Sequence, residues 1–296
     1  LMYAGNGRLP QRLDAAPVTF NHAVTAVWIE GRLHVLDGTL RGQVSRLDQL
    51  GSPHGGADLL ILGGSRTGFT RAPYTGGKND RTLRIVETMS ITDDGTVGEL
   101  TQNTTYRGVL AEEQRRHLQS KEAATLQRDY ISEFSRQYPD SEITKGPTVE
   151  DNKARNELKI SVRYRIPNPV KRSGPNWRHE YRNAAIINRL PRVISSKREI
   201  PLGLPFNVQR VYFEHTLDVP ETFRIDEEVF EENISQPELK ASLRRERPSP
   251  SKLIDRFELE FLADEIPKAS IADYRIATQP LFDFRSEVRL KRTTRP

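Results

Sequence analysis

Period-two alternation of apolar and polar residues dominates this chain and predicts strands. Residues 20–29 and 32–39 are β-branched-rich runs on either side of Glu30-Gly31, which reads as a hairpin. With Glu30-Gly31 as a two-residue loop, Ile29 faces Arg32, Val24 faces Asp37 and His22 faces Thr39. His22, Val24 and Asp37 then share one face. His22 and Asp37 become diagonal neighbours, about 7–8 Å apart at Cα and within reach of a side-chain hydrogen bond. A four-residue loop keeps this register, whereas a three-residue loop puts the two on opposite faces. Residues 57–62 form a short apolar strand closed by Gly63-Gly64. Residues 82–91 and 96–106 make a second hairpin through Asp93-Asp94-Gly95, with Leu83, Ile85, Met89 and Ile91 along one face. Further strands are expected at 157–166, 184–190, 208–217, 223–230 and 254–262, with a polar, Pro-rich loop at 244–250.

The helical period shows clearly in one place. Leu118, Ala123, Leu126, Tyr130, Ile131 and Phe134 recur at three- and four-residue spacing, which predicts one long helix over 111–138, ended by Pro139. Residues 271–276 begin a short helix that Pro280 would limit. Residues 1–4 read as the end of a strand, followed by a Gly5-Asn6-Gly7 turn and a loop carrying Pro10 and Pro17. The Gly-rich stretch 63–80 has the composition of a linker and divides a first part, 1–62, from a β-rich part, 81–296. The fold class expected is α+β, mostly antiparallel β, with a β-sandwich-like second domain.

Composition narrows the functional classes. Apolar residues make up 35% and charged residues 29%, which favours exposed sheets over a large helical core. No run approaches the ~18 apolar residues of a membrane helix, so no transmembrane segment is expected. The net charge is +5, but the basic residues are scattered among Glu and Asp, with short clusters at Arg244-Arg245 and Lys291-Arg292. No nucleic-acid partner is expected on that pattern. The chain contains no Cys, which excludes disulfides, thiolate metal sites and a Cys nucleophile within these residues.

A carboxylate beside a histidine is the base-plus-orienter half of a nucleophilic triad, so His22 and Asp37 are the candidate catalytic residues. Trp28 lies on the His22 face by parity, either as core or as the wall of a substrate cleft. His34 points to the opposite face, and His54 is a loop residue between Pro53 and Gly55 with no partner visible in the sequence. His117, His179 and His215 show no paired ligand spacing, so neither a metal nor a cofactor is expected. Gly63–Gly68 and Tyr74–Asn79 fail the nucleophile-elbow and phosphate-loop patterns and read as turns. Asp226, Glu227 and Glu228, with Glu231 and Glu232, follow no calcium-loop spacing.

The hairpin resembles the His/Asp end of the transglutaminase-like family, a branch of the papain-like cysteine hydrolases and acyltransferases. The resemblance rests on Phe20-Asn21-His22-Ala23-Val24, the Gly31 turn and Leu36-Asp37-Gly38-Thr39, in that order, and covers about the first 40 residues. It implies that His22 is the general base, that Asp37 orients it, and that the parent acts on a protein or peptide substrate. More narrowly it resembles bacterial multidomain proteins with an N-terminal β-domain, a transglutaminase core and a β-rich C-terminal region, which implies the periplasm or cell envelope. The family's Cys lies upstream on a helix. The opening Leu1-Met2-Tyr3-Ala4 reads as a chain entered partway, so that Cys is expected a few tens of residues before His22, and the chain alone is expected to be inactive. The alternative is a non-enzymatic, β-rich interaction module of the envelope that keeps the hairpin for its shape. Residues 1–62 are expected to be the less stable part.

Overall fold

A computed structural model describes residues 2–3, 20, 22–62, 68–74, 81–136, 138–193, 200–205, 208–284 and 286–293. The turn expected at Gly5-Asn6-Gly7, the loop with Pro10 and Pro17, and residues 63–67 and 75–80 lie outside the described residues. Strand outweighs helix, 47% to 20%, and the sheets are mainly antiparallel, so the fold is a β-rich α+β type. The chain forms two compact units. The first comprises Leu1–Thr82, Tyr106–His117 and Asp151–Leu158, and the second Leu83–Thr105, Leu118–Glu150 and Lys159–Pro296.

The first unit holds β1 (Met2–Tyr3), β2 (His22–Ala23), β3 (Thr25–Ile29), β4 (Arg32–Leu36), β5 (Asp58–Leu60), β6 (Phe69–Arg71) and helix α1 (Val109–Gln119). Strands β3 and β4 pair from Ile29–Arg32 to Thr25–Leu36 across the Glu30-Gly31 loop. Both loop residues have positive φ, 49° and 74°, the signature of a type I′ turn, whose twist matches that of the flanking strands. The ladder stops at Thr25–Leu36. His22 instead lies in a separate four-stranded sheet of order β2-β1-β5-β6. Within the stretch expected to be linker, Phe69–Arg71 is a strand, paired with β5 from Leu60–Phe69 to Asp58–Arg71. A small core of Ala57, Leu59 and Ala72 is covered by Leu33 and Val35 of β4.

The segment after the hairpin is fastened to α1 through buried polar groups. The Glu112 side chain, fully buried, accepts from the Gly51 amide at 2.7 Å, from Gln43 Nε2 at 2.9 Å and from Asn156 Nδ2 at 2.8 Å. Arg115 donates to Asp151 and to Asn156 Oδ1. Gly51 is required here: a Cβ would sit 2.5 Å from the backbone of Val109.

The second unit is built from β7 (Thr82–Ile91), β8 (Val97–Arg107), β9 (Glu142–Asn152), β10 (Glu157–Pro167), β11 (Val170–Ser173), β12 (Asn176–Glu180), β13 (Leu202–Gly203), β14 (Arg210–Asp218), β15 (Phe223–Ile225), β16 (Phe230–Ser235), β17 (Leu239–Ser249), β18 (Lys252–Phe261), β19 (Glu265–Ile266) and β20 (Glu287–Arg292). An eight-stranded sheet runs β16-β17-β18-β14-β7-β8-β10-β9, and a four-stranded sheet runs β11-β12-β20-β15. Alternation sets the buried face of the large sheet: Leu158, Ile160, Val162, Tyr164 and Ile166 on β10, and Val211, Phe213, His215 and Leu217 on β14. Helix α2 (Ala123–Ser135) buries Leu126 and Phe134, and the Phe134 ring stacks on Tyr164 at 3.9 Å between centroids.

Five expectations are corrected. The single helix over 111–138 is two, α1 and α2, separated at Ser120–Glu122, with Glu122 extended (φ −71°, ψ 152°). Ser, Lys and Glu all tolerate a helix. The break comes from packing, because α1 buries Val109–Glu112 and Arg115 in the first unit while α2 buries its own stripe in the second. The strand expected at 184–190 is a short helix, α3 (Ala184–Ile187), which buries Ile186, followed by a turn that buries Leu190. The loop expected at 244–250 lies almost wholly within β17, since Leu239, Ala241, Leu243 and Arg245 continue a buried row. The last helix, α4 (Ile271–Asp283), runs through Pro280. The carbonyl that Pro280 leaves unmatched belongs to Ile276, which is 69% exposed and open to water. The run at 223–230 also divides, into β15 and the start of β16.

Candidate functional site

Two backbone registers bring His22 and Asp37 together. Tyr3 pairs with both His22 and Leu59, so the His22 and Leu59 side chains leave the four-stranded sheet on one face. Leu33 and Val35, alternate residues of β4, pack on the core containing Leu59, and Asp37 continues that row. The hairpin therefore delivers the Asp37 carboxylate to the side of the sheet where His22 stands. His22 Nε2 lies 2.7 Å from Asp37 Oδ2. The expected hydrogen bond exists, but it joins a hairpin to a neighbouring sheet instead of joining two strands of one hairpin.

His54 completes the cluster. Its Nε2 lies 2.9 Å from the same Asp37 Oδ2, and its ring centroid is 5.5 Å from that of His22. Nothing in the sequence pointed to it, because its position depends on a turn. The Gly55 amide donates to Ser52 O, the Ala57 amide to His54 O, and the Gly56 amide to Ala72 O. Arg71 also donates to Gly56 O. The Tyr74 ring lies directly against Gly55, where a Cβ would be 2.2 Å from Cδ1, and the Arg81 guanidinium covers that ring at 3.7 Å. The combination of a Gly next to His54 and an aromatic ring in contact is a three-dimensional signal.

The carboxylate is fully engaged. Thr39 donates to Asp37 Oδ1 through its amide at 2.9 Å and its hydroxyl at 2.6 Å, so one oxygen is pinned by the loop and the other faces the two imidazoles. Burial pushes the Asp37 acid upward, but the bonds from Thr39, His22 and His54 outweigh it and hold the group well below the ordinary carboxylate range. Burial keeps His54 below its usual value, partly offset by Asp37. An ionised carboxylate only accepts, so each neutral imidazole presents its proton on Nε2 and its lone pair on Nδ1. Access is one-sided: the His22 side chain is 31% exposed, against 11% for His54 and 3% for Asp37.

Trp28 lies on the same hairpin as Asp37. It pairs with Leu33 near the hairpin tip and is 41% exposed. Its exposure shows that it is not core.

The second unit contains another set of buried polar side chains, drawn from both its four-stranded and its eight-stranded sheet. His179 Nδ1 donates to Pro169 O at 2.9 Å, and His179 Nε2 meets His215 Nε2 at 3.3 Å. His215 Nδ1 meets Glu87 Oε2 at 3.0 Å, and Gln102 donates to Glu87 Oε1 at 2.9 Å. Burial and the neighbouring His215 hold His179 down at about 3, partly offset by its bond to Pro169. Nearby, Arg245 forms a two-bond pair with Asp255, which also accepts from Tyr181, and Arg245 reaches Glu227 at 3.0 Å. Arg289 and Lys291 engage Glu227 and Asp226, so these members of the acidic run have fixed cationic partners. Both histidines are fully buried, and each has a hydrogen-bond partner inside the core.

Among the described residues, no helix is long and apolar enough to cross a membrane. Compared with known proteins, the chain matches no family model and no curated sequence.

Proposed function

We propose that the chain carries the general base and its orienting carboxylate of a Cys-His-Asp acyl-transfer site, the thiol coming from residues that precede Leu1. The observation that supports this reading is the 2.7 Å bond from His22 Nε2 to an Asp37 carboxylate locked by Thr39. With Asp37 on Nε2, the base of His22 is Nδ1, which takes the proton of a thiol. The thiolate attacks the carbonyl carbon of a glutamine or peptide amide. The C–N bond breaks as the imidazolium returns its proton to the leaving amine, and the acyl group then passes to water or to a second amine. Asp37 fixes the tautomer and stabilises the imidazolium between these steps. His54 acts as a positioning residue, its Nε2–H holding the same carboxylate oxygen. The resemblance of the hairpin to bacterial transglutaminase-like proteins points to protein or peptide substrates in the cell envelope.

The test is a chain extended upstream in the same reading frame, assayed for ammonia release from a glutamine-containing peptide with and without a primary amine. The extension is expected to contain a Cys at a helix start. His22→Ala and Cys→Ala are each expected to lower the rate by about two to four powers of ten. An extension without Cys, or activity indifferent to His22→Ala, overturns the proposal.

A further inference from the structure

We propose that His22, Asp37 and His54 form a binding site for a divalent transition-metal ion of the Zn²⁺ type. Their ligand atoms, two imidazole nitrogens and one carboxylate oxygen, lie within 4.8 Å of one another. This donor set suits Zn²⁺, which takes imidazole and carboxylate together, and does not suit Mg²⁺ or Ca²⁺, which require oxygen cages. Three protein ligands leave a fourth position for water, and the exposed side of His22 is where it opens.

The geometry needs only a small adjustment. Bonds of about 2.0–2.1 Å at tetrahedral angles place ligand atoms roughly 3.3 Å apart. The two His–Asp separations of 2.7 and 2.9 Å therefore widen by about half an ångström. His22, the most exposed of the three, can supply that movement by a change in its side-chain angles. The carboxylate is already oriented: Thr39 holds Oδ1 through two bonds and leaves Oδ2 directed at both rings. The Tyr74 ring against Gly55 fixes the turn that carries His54.

Metal binding and base catalysis exclude one another at His22. A neutral imidazole has one lone pair. If Nε2 gives it to a metal, the proton moves to Nδ1, and no atom remains to accept a proton from a thiol. The ion would therefore hold a His22–Asp37 base pair inactive. The site does not depend on that role, since all three ligands are in this chain and no thiol is among them.

Zn²⁺ titrated into the ¹⁵N-labelled chain, followed by long-range ¹H–¹⁵N spectra of the imidazoles, tests the proposal. One equivalent is expected to bind, with His22 and His54 both changing from the Nε2–H to the Nδ1–H form while His117 stays unchanged. Thr39→Val is expected to weaken binding about 10–100-fold, and His54→Gln more. No saturable binding at submillimolar Zn²⁺, or one equivalent bound with the His22 and His54 signals unmoved, overturns the proposal. The wild-type spectra decide this even if a variant fails to fold. Because the chain has no thiol, either result leaves the acyl-transfer reading to be judged by its own assay.

Discussion

Asp37 is the residue on which the first unit's chemistry converges. In the unfolded chain its acid titrates near the ordinary value of 3.8, while four hydrogen bonds hold it lower in the folded chain. The folded state therefore binds that proton less readily than the unfolded state. Its contribution to stability is complete above about 3.8 and is lost as the pH falls through the lower, native value. His54 has the same sign in a higher window, since burial keeps its folded value below 6.5 and acid favours the unfolded, protonated imidazole. Asp37→Asn is expected to cost about 1–3 kcal/mol near pH 7, by pairing an amide NH₂ with groups that donate. Urea unfolding should show a smaller difference at pH 2 than at pH 7, and an equal difference at both pH values would contradict the account. The hairpin register expected to produce the His22–Asp37 pairing stops at Thr25–Leu36, and His22 reaches Asp37 from the neighbouring sheet, but the pairing itself was legible from two short motifs. His54 was not, because a lone His between Pro53 and Gly55 carries no periodic signal, and its partner is set by how the 52–57 turn packs.

At the scale of elements, the sequence resolved those whose burial alternates on one face and missed those whose conformation depends on neighbours. The β7–β8 pair and β10 follow their alternation, while the β3–β4 hairpin was legible from its turn residues, since its burial does not alternate. The division of 111–138 into α1 and α2 follows from two separate packing surfaces that a single helical stripe conceals. Likewise, the Arg-rich end of β17 reads as loop only until Asp255 is placed opposite Arg245 by the β17–β18 register. The turn carrying His54 offers a direct test. Gly55→Ala drives a methyl group into the Tyr74 ring, and the expected cost is about 1–3 kcal/mol of stability. The His22 and His54 imidazole signals should shift with it. A variant with wild-type stability and unchanged imidazole spectra would show that the Gly55–Tyr74 contact does not hold the site.

For the whole molecule, the two units differ in how much they bury. The first relies on Ala57, Leu59 and Ala72 with a polar anchor at Glu112, while the second has long buried rows on several adjacent strands. The β3–β4 ladder is a two-stranded sheet with Trp28 and Ile29 each 41% exposed. Its amides are expected to exchange with solvent much faster than those of β14 and β18, which lie inside the eight-stranded sheet. Equal protection would show that the hairpin is held by more than its visible contacts. The β-rich class was legible from alternation and composition. The joining of 106–117 and 151–158 to the first unit was not, because it depends on Glu112, Arg115 and Asn156 meeting across long sequence separations. The central claim, that His22 and Asp37 are a base and its orienter awaiting a thiol, is tested most directly by iodoacetamide alkylation of the upstream-extended chain as a function of pH. The account predicts a thiol that ionises well below the ordinary value of about 8.5 and returns toward it in His22→Gln. A thiol titrating near 8.5 in both proteins, or no thiol in the extension, would contradict it.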